Sequence, residues 1–165
     1  MPTAAHSPVA SFARKRQGPK LDSGFFTILI ADDNETNIKV LQHFLASFDC
    51  SLVIARDGRA AVRAYQAHKI DAVLMDIQMP ELDGFDATRE IRKIERAEGA
   101  KPVPIIAVTA HVKPADQYLC IEAGMNDYLQ KPVNFAALNS VFRVWAPLRK
   151  RPANPETGGK DQETL

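Results

Sequence analysis

Asp32-Asp33, Asp76, Thr109 and Lys131 each follow directly on a short run with strand-like character. The runs are Thr27-Ile28-Leu29-Ile30-Ala31, Ala72-Val73-Leu74-Met75, Ile105-Ile106-Ala107-Val108 and the less apolar Asp127-Tyr128-Leu129-Gln130. Segments this short and apolar suit buried strands. In a parallel α/β sheet the residues just past the strand ends collect at one rim. Three carboxylates, a hydroxyl and an ammonium would then share one cleft. That set fits a carboxylate that accepts a phosphoryl group beside a divalent cation. Asp76 is the natural nucleophile, because carboxylates form aspartyl phosphates. Crowded carboxylates favour either a raised pKa or a bound cation, and Mg2+ takes oxygen ligands. Thr109 would donate its hydroxyl to one phosphoryl oxygen while Lys131 neutralises another. Taken singly, each residue has a plainer reading as a helix cap, turn former, strand threonine or solvated lysine. Their joint placement at different strand ends favours the chemical one.

The intervening segments are those needed to position such a cleft. Ile38, Leu41, Leu45 and Phe48 recur on one face of a first helix. Ser51 to Ala55 reads as a second strand, and Asp57-Gly58 turns the chain into an Ala-rich helix ending near His68. After Asp76, the loop Pro80-Glu81-Leu82-Asp83-Gly84 leads into a helix with Ala87, Ile91 and Ile94 on one side and a stop near Gly99. Lys101-Pro102-Val103-Pro104 precedes the fourth strand. A helix from about Pro114 places Leu119 and Ala123 on one face, with Gly124 closing it. Leu138, Val141, Phe142 and Trp145 mark the last helix. Five βα units with short connections predict an α/β, doubly wound, five-stranded parallel sheet with five helices.

Length and composition agree with one such domain. The chain has 165 residues, 45% hydrophobic and 25% charged, which supports one sizeable core. Its formal net charge of +1 supplies no basic field for nucleic acid. Cys50 and Cys120 lack CxxC spacing and read as helix or helix-end hydrophobes in a reduced, cytoplasmic protein. No run approaches the roughly 18 apolar residues of a membrane span, and Pro2, His6 and Pro8 interrupt any secretory leader. Residues 1–24, with Arg14-Lys15-Arg16 and Lys20, read as a flexible extension. Residues 147–165 read as a solvated tail, leaving 25–146 as the folded domain.

The ordered segments Ile28-Leu29-Ile30-Ala31-Asp32-Asp33-Asn34, Leu74-Met75-Asp76-Ile77-Gln78-Met79-Pro80-Glu81-Leu82-Asp83-Gly84, Ala107-Val108-Thr109-Ala110 and Tyr128-Leu129-Gln130-Lys131-Pro132 resemble the receiver domain of two-component response regulators. The resemblance spans roughly residues 26–146 and implies a flavodoxin-like sheet of order 2-1-3-4-5. It implies that Asp76 is the phosphoacceptor and that Asp33, Asp32, Asp76 and the backbone carbonyl of Gln78 hold Mg2+, with Mn2+ as the alternative ion. Thr109 and Lys131 contact the phosphoryl group, and Tyr128 is the aromatic switch. Gln78 and His111 tune phosphate lifetime, an exposed loop histidine being the plainer reading of His111. Lys131-Pro132 is implied to be a cis peptide.

The donor implied is a phosphohistidine on a histidine kinase or histidine phosphotransfer protein, docking near the first helix. A downstream protein would read the face built from the fourth helix, fifth strand and fifth helix. A monomer or a phosphorylation-dependent dimer is expected, with neither nucleic acid nor membrane as partner. Asp33-Asn34-Glu35-Thr36-Asn37 and Ala123-Gly124-Met125-Asn126-Asp127-Tyr128 are most similar to receivers of hybrid sensor histidine kinases. The residues after Trp145 leave no room for a DNA-binding output domain, so a stand-alone receiver or a fragment of a hybrid kinase is expected. A metal-dependent aspartyl phosphatase is the enzyme rival. It would need an acid/base carboxylate two residues past Asp76, where Gln78 stands. The chemistry expected is thus confined to the protein's own phosphorylation and dephosphorylation.

Overall fold

Strands and helices alternate strictly in the computed structural model, which describes residues 25–148. They are β1 (Phe26–Ala31), α1 (Glu35–Leu45), β2 (Cys50–Ala55), α2 (Gly58–Ala67), β3 (Ala72–Asp76), α3 (Gly84–Glu98), β4 (Ile105–Thr109), α4 (Pro114–Ala123), β5 (Asp127–Gln130) and α5 (Phe135–Trp145). All strand pairs are parallel, in the order β2-β1-β3-β4-β5. The chain leaves β1 toward one edge and returns to β3 on its other side. That reversal opens a crevice at the carboxyl ends of β1 and β3.

Side-chain alternation explains the near-continuous apolar runs. Ile28, Ile30, Ala72, Leu74, Ile106 and Val108 face one way, into a core shared with Ile38 and Leu41 of α1 and Leu138 and Phe142 of α5. Leu29, Val73, Met75, Ile105 and Ala107 face the other way, toward Ala61, Tyr65 and Ile91 of α2 and α3. Helices cover both faces, so both parities must be apolar. Where the runs end, the same parity aims the polar residues. Asp32 continues the row of Ile28 and Ile30, Asp76 that of Ala72 and Leu74, and Lys131 that of Leu129. All three therefore point to the α1–α5 side of the rim.

Polar caps start most helices at that rim. Asn34 Oδ1 accepts from Thr36 and Asn37 N–H at 2.9 and 3.3 Å, Asp57 from Ala60, Asp83 from Asp86 and Asn134 from Ala137. Each such cap is worth about 1 kcal/mol. Gly99 and Gly124 end α3 and α4 at φ 61° and 97°, where a side chain is strained.

Some details depart from the periodicity. Leu119 is exposed, and Cys120 takes its place beside Ala123 on the buried face of α4. Ile94 is only half-buried, while Arg92 and Glu95 are buried in α3. Trp145 is partly exposed because its indole N–H reaches Asp127 Oδ2 at 2.9 Å. Cys50 opens β2 rather than ending a helix, and neither cysteine is bridged. The extension read at 1–24 and the tail from 149 lie outside the described residues; Leu148, read as tail, packs against the α1–α5 core. Among the described residues no helix is long and apolar enough to cross a membrane.

Candidate functional site

The register that aligns Ala31 with Met75 brings Asp32 beside Asp76 one step further on. Both carboxylates are buried, and Asp33 stands exposed at the lip. One oxygen from each of Asp32, Asp33 and Asp76 lies within 4.8 Å of the others. Lys131, just past β5, sets its ammonium 3.1 Å from Asp76 Oδ1 and 3.2 Å from Asp32 Oδ2. The shared side of the sheet allows one cation to bridge both acids. The Lys131-Pro132 peptide is cis.

Each carboxylate is partly anchored by the loop that follows it. Asp32 Oδ1 accepts from the Asn34 backbone N–H at 2.8 Å and from Asn37 Nδ2 at 3.4 Å. Asp76 Oδ1 accepts from the Gln78 N–H at 3.2 Å. Asp32 Oδ2 is buried and makes no hydrogen bond; the Lys131 ammonium is within ion-pair range but not aligned to donate. A buried carboxylate oxygen in that condition needs further positive charge. Burial pushes the Asp76 carboxyl above its ordinary 3.8; Lys131 pulls it back, Asp32 raises it further, and the Gln78 N–H lowers it. An all-oxygen donor set with excess negative charge and one under-partnered oxygen fits a hard divalent cation such as Mg2+.

Thr109 closes the far side of the same cleft, which Asp33, Asp76, Gln78 and Lys131 also line. Its hydroxyl donates to the His111 carbonyl at 2.9 Å and accepts from the His111 N–H at 3.2 Å, so it is engaged with its own loop. His111 is exposed and lines an adjoining hollow with Gln78, Thr109 and Lys113. Tyr128 lies away from the carboxylates on β5. The residue is 38% exposed and its hydroxyl accepts from Gln117 Nε2 at 3.3 Å, an outward orientation.

Two cleft residues have roles that composition did not disclose. Asn34 reads from sequence only as part of a motif, yet it caps α1 and its backbone holds Asp32; a polar residue just before a helix is the available signal. Asn37, another residue of that motif, reaches back from the first turn to Asp32, a role the motif alone does not reveal. Glu35 also pairs with Arg56 across the lip, between exposed side chains of the kind that contribute little.

The response regulator receiver domain family matches residues 28–143. The sensor protein GacS of Pseudomonas syringae pv. syringae is 38% identical over 139 residues, which cover 84% of this chain and 15% of GacS. The chain thus spans a small part of the length of that relative. The receiver domain of the sensor histidine kinase PA1611 from Pseudomonas aeruginosa, solved with a magnesium ion coordinated in its active-site cleft, is 42% identical. It has a TM-score of 0.65 and covers 73% of this chain and 96% of its own. The receiver domain of Saccharomyces cerevisiae Ssk1, solved with the histidine phosphotransfer protein Ypd1, is 34% identical. Its TM-score is 0.70, with 73% and 88% covered.

Proposed function

Since the chain belongs to the response regulator receiver family of two-component and phosphorelay signalling, we propose that it takes a phosphoryl group from a phosphohistidine onto Asp76 and signals through the resulting change in shape. The observation that carries this reading is the buried Asp76 carboxylate, set between Asp32 and Lys131 at the open switch point of the sheet. An Asp76 oxygen attacks phosphorus, the N–P bond of the donor breaks, and the imidazole leaves with the electron pair. Lys131 offsets charge on the incoming phosphoryl oxygens. Thr109 gives up its bond to the His111 carbonyl and donates to another of those oxygens. Asp33, Asp32, Asp76 and the Gln78 carbonyl would hold Mg2+, which when bound neutralises charge on the transferring group.

The working domain is residues 25–146, and its catalysis is confined to its own phosphorylation and the hydrolysis that reverses it. Gln78 and His111, flanking the approach to Asp76, set how long the phosphoryl group lasts. Drawing Thr109 inward vacates space for Tyr128, whose inward rotation repacks the α4–β5–α5 face for a downstream partner. The donor is a histidine kinase or histidine phosphotransfer protein docking beside α1; the Ssk1 receiver solved with Ypd1 supports that class of donor.

A second reading makes this receiver one module of a longer hybrid kinase. It is favoured by GacS, in which the matching stretch is 15% of the length. The chemistry is the same in both. Incubation with acetyl phosphate and Mg2+, followed by intact mass measurement, tests it: wild type gains one phosphoryl group, whereas Asp76→Asn or chelation of the metal prevents the gain. Unmodified wild type, or an equal gain in D76N, contradicts the proposal.

A further inference from the structure

We propose that Gly58, at the start of α2, is a positioning residue for the cation and phosphoryl site, although it belongs to neither. Its missing side chain lets the Leu82 backbone lie against α2, and that contact sets where the loop of residues 77–83 holds Gln78 beside Asp76. The inference rests on reading the Asp32, Asp33 and Asp76 cluster as a Mg2+ site.

A Cβ on Gly58 would lie 1.9 Å from the Leu82 carbonyl oxygen, 2.7 Å from its carbon and 2.8 Å from the Leu82 Cβ. The clash is with backbone, so no rotamer relieves it. Gly58 is not among the positive-φ glycines, so the position needs space and not a special conformation. At a helix start with ordinary φ, alanine would otherwise be the better residue.

The two sides of this contact are held in different ways. α2 is fixed by buried Ala61 and Tyr65 and by the Asp57 cap, which accepts from Ala60 N–H at 2.7 Å. The loop exposes Gln78, Pro80 and Glu81. It is held by bonds from Leu82 N–H to Pro80 O and from Gly84 N–H to Ile77 O, both 2.8 Å, by Ile77 N–H to the Val108 carbonyl at 3.3 Å, and by Ile77, Met79 and Leu82 packing on the α2–α3 core. Glu81 already sits at φ 69°, strained for a non-glycine residue. The far end is held close to Asp76: a Cβ on Gly84 would lie 2.1 Å from the Asp76 carbonyl oxygen, and the Gly84 N–H bonds Ile77 O at 2.8 Å. Displacement at Leu82 is therefore passed back to Gln78, whose N–H donates to Asp76 Oδ1 and whose carbonyl is the proposed ligand.

The test is calorimetric titration of the full chain with Mg2+. Binding by wild type and its loss in Asp33→Asn establish the site; no binding by wild type, or unchanged binding by D33N, overturns that underlying reading. Given the site, Gly58→Ala weakens Mg2+ binding about tenfold or more, the scale of losses when support around a metal is disturbed. Gly99→Ala is the stability control: it strains a φ of 61° with nothing within 4 Å of the new Cβ, and lowers Tm while leaving Mg2+ affinity unchanged. Glu81→Val strains the same loop from its exposed side and weakens Mg2+ binding in a folded protein even where G58A fails to fold. Wild-type affinity in G58A, equal losses in G58A and G99A, or wild-type affinity in E81V when G58A is unfolded overturns the role of Gly58.

Discussion

Asp76 is held as a carboxylate in a place that disfavours its charge. Burial raises its pKa, and Lys131 only partly offsets this. A carboxyl whose folded pKa exceeds its unfolded one binds more protons folded than unfolded. Stability therefore falls as pH rises above 3.8 through the raised value, and stays lower at neutral pH. Replacing the charge should relieve this: D76N melts higher than wild type at pH 7 in metal-free buffer. Lys131 retains Asp32 as its ion-pair partner at 3.2 Å in that variant. Mg2+ raises the Tm of wild type and raises that of D76N less, since one of its carboxylates is gone. A D76N protein that melts below wild type without metal contradicts this account of the site's electrostatics.

At the scale of elements, the helices on the far side of the sheet are tied together by charges that periodicity did not disclose. Arg92 of α3 donates to both Glu95 oxygens, at 3.0 and 2.7 Å, and to the Val103 carbonyl, the Asn126 side chain and the Gly124 carbonyl ending α4. Glu95 also accepts from Tyr65 of α2 and from the Val103 N–H. Arg92→Met strands a buried carboxylate and lowers the unfolding free energy by about 3–5 kcal/mol in urea titration, whereas Arg92→Leu with Glu95→Leu recovers much of it. A loss in R92M below about 1 kcal/mol contradicts that, being no more than an exposed pair contributes. Ala87 and Ile91 were legible from helical spacing because hydrophobic burial leaves a period. Arg92 and Glu95 were not, because a fully paired charge cluster has the same letters as a solvated face. Leu119 misled for a related reason: α4 buries only Cys120 and Ala123, too few for its apolar residues to reveal a face. The cleft was far more readable, since Asp32, Asp76 and Lys131 each follow a strand end at one rim and the receiver resemblance supplied the strand order that sets the first strand beside the third. The reach of Asn37 to Asp32 and the approach of the Leu82 backbone to Gly58 are visible only in three dimensions.

Over the whole molecule, the proposed switch would link the cleft to the α4–β5–α5 face through Thr109 and Tyr128. The sole tryptophan, Trp145, sits on that face and bonds Asp127 next to Tyr128. Phosphorylation therefore shifts Trp145 emission in wild type and not in D76N; an unchanged spectrum in fully phosphorylated protein contradicts the proposed repacking. That shift depends on where the phosphoryl group goes. The most direct measurement is reduction of the phosphorylated protein with borohydride, which converts an aspartyl phosphate to homoserine, followed by peptide mass mapping. The geometry predicts conversion at Asp76 alone. Conversion at Asp32 or Asp33 in place of Asp76, or no conversion in protein that carries the phosphoryl mass, would contradict it.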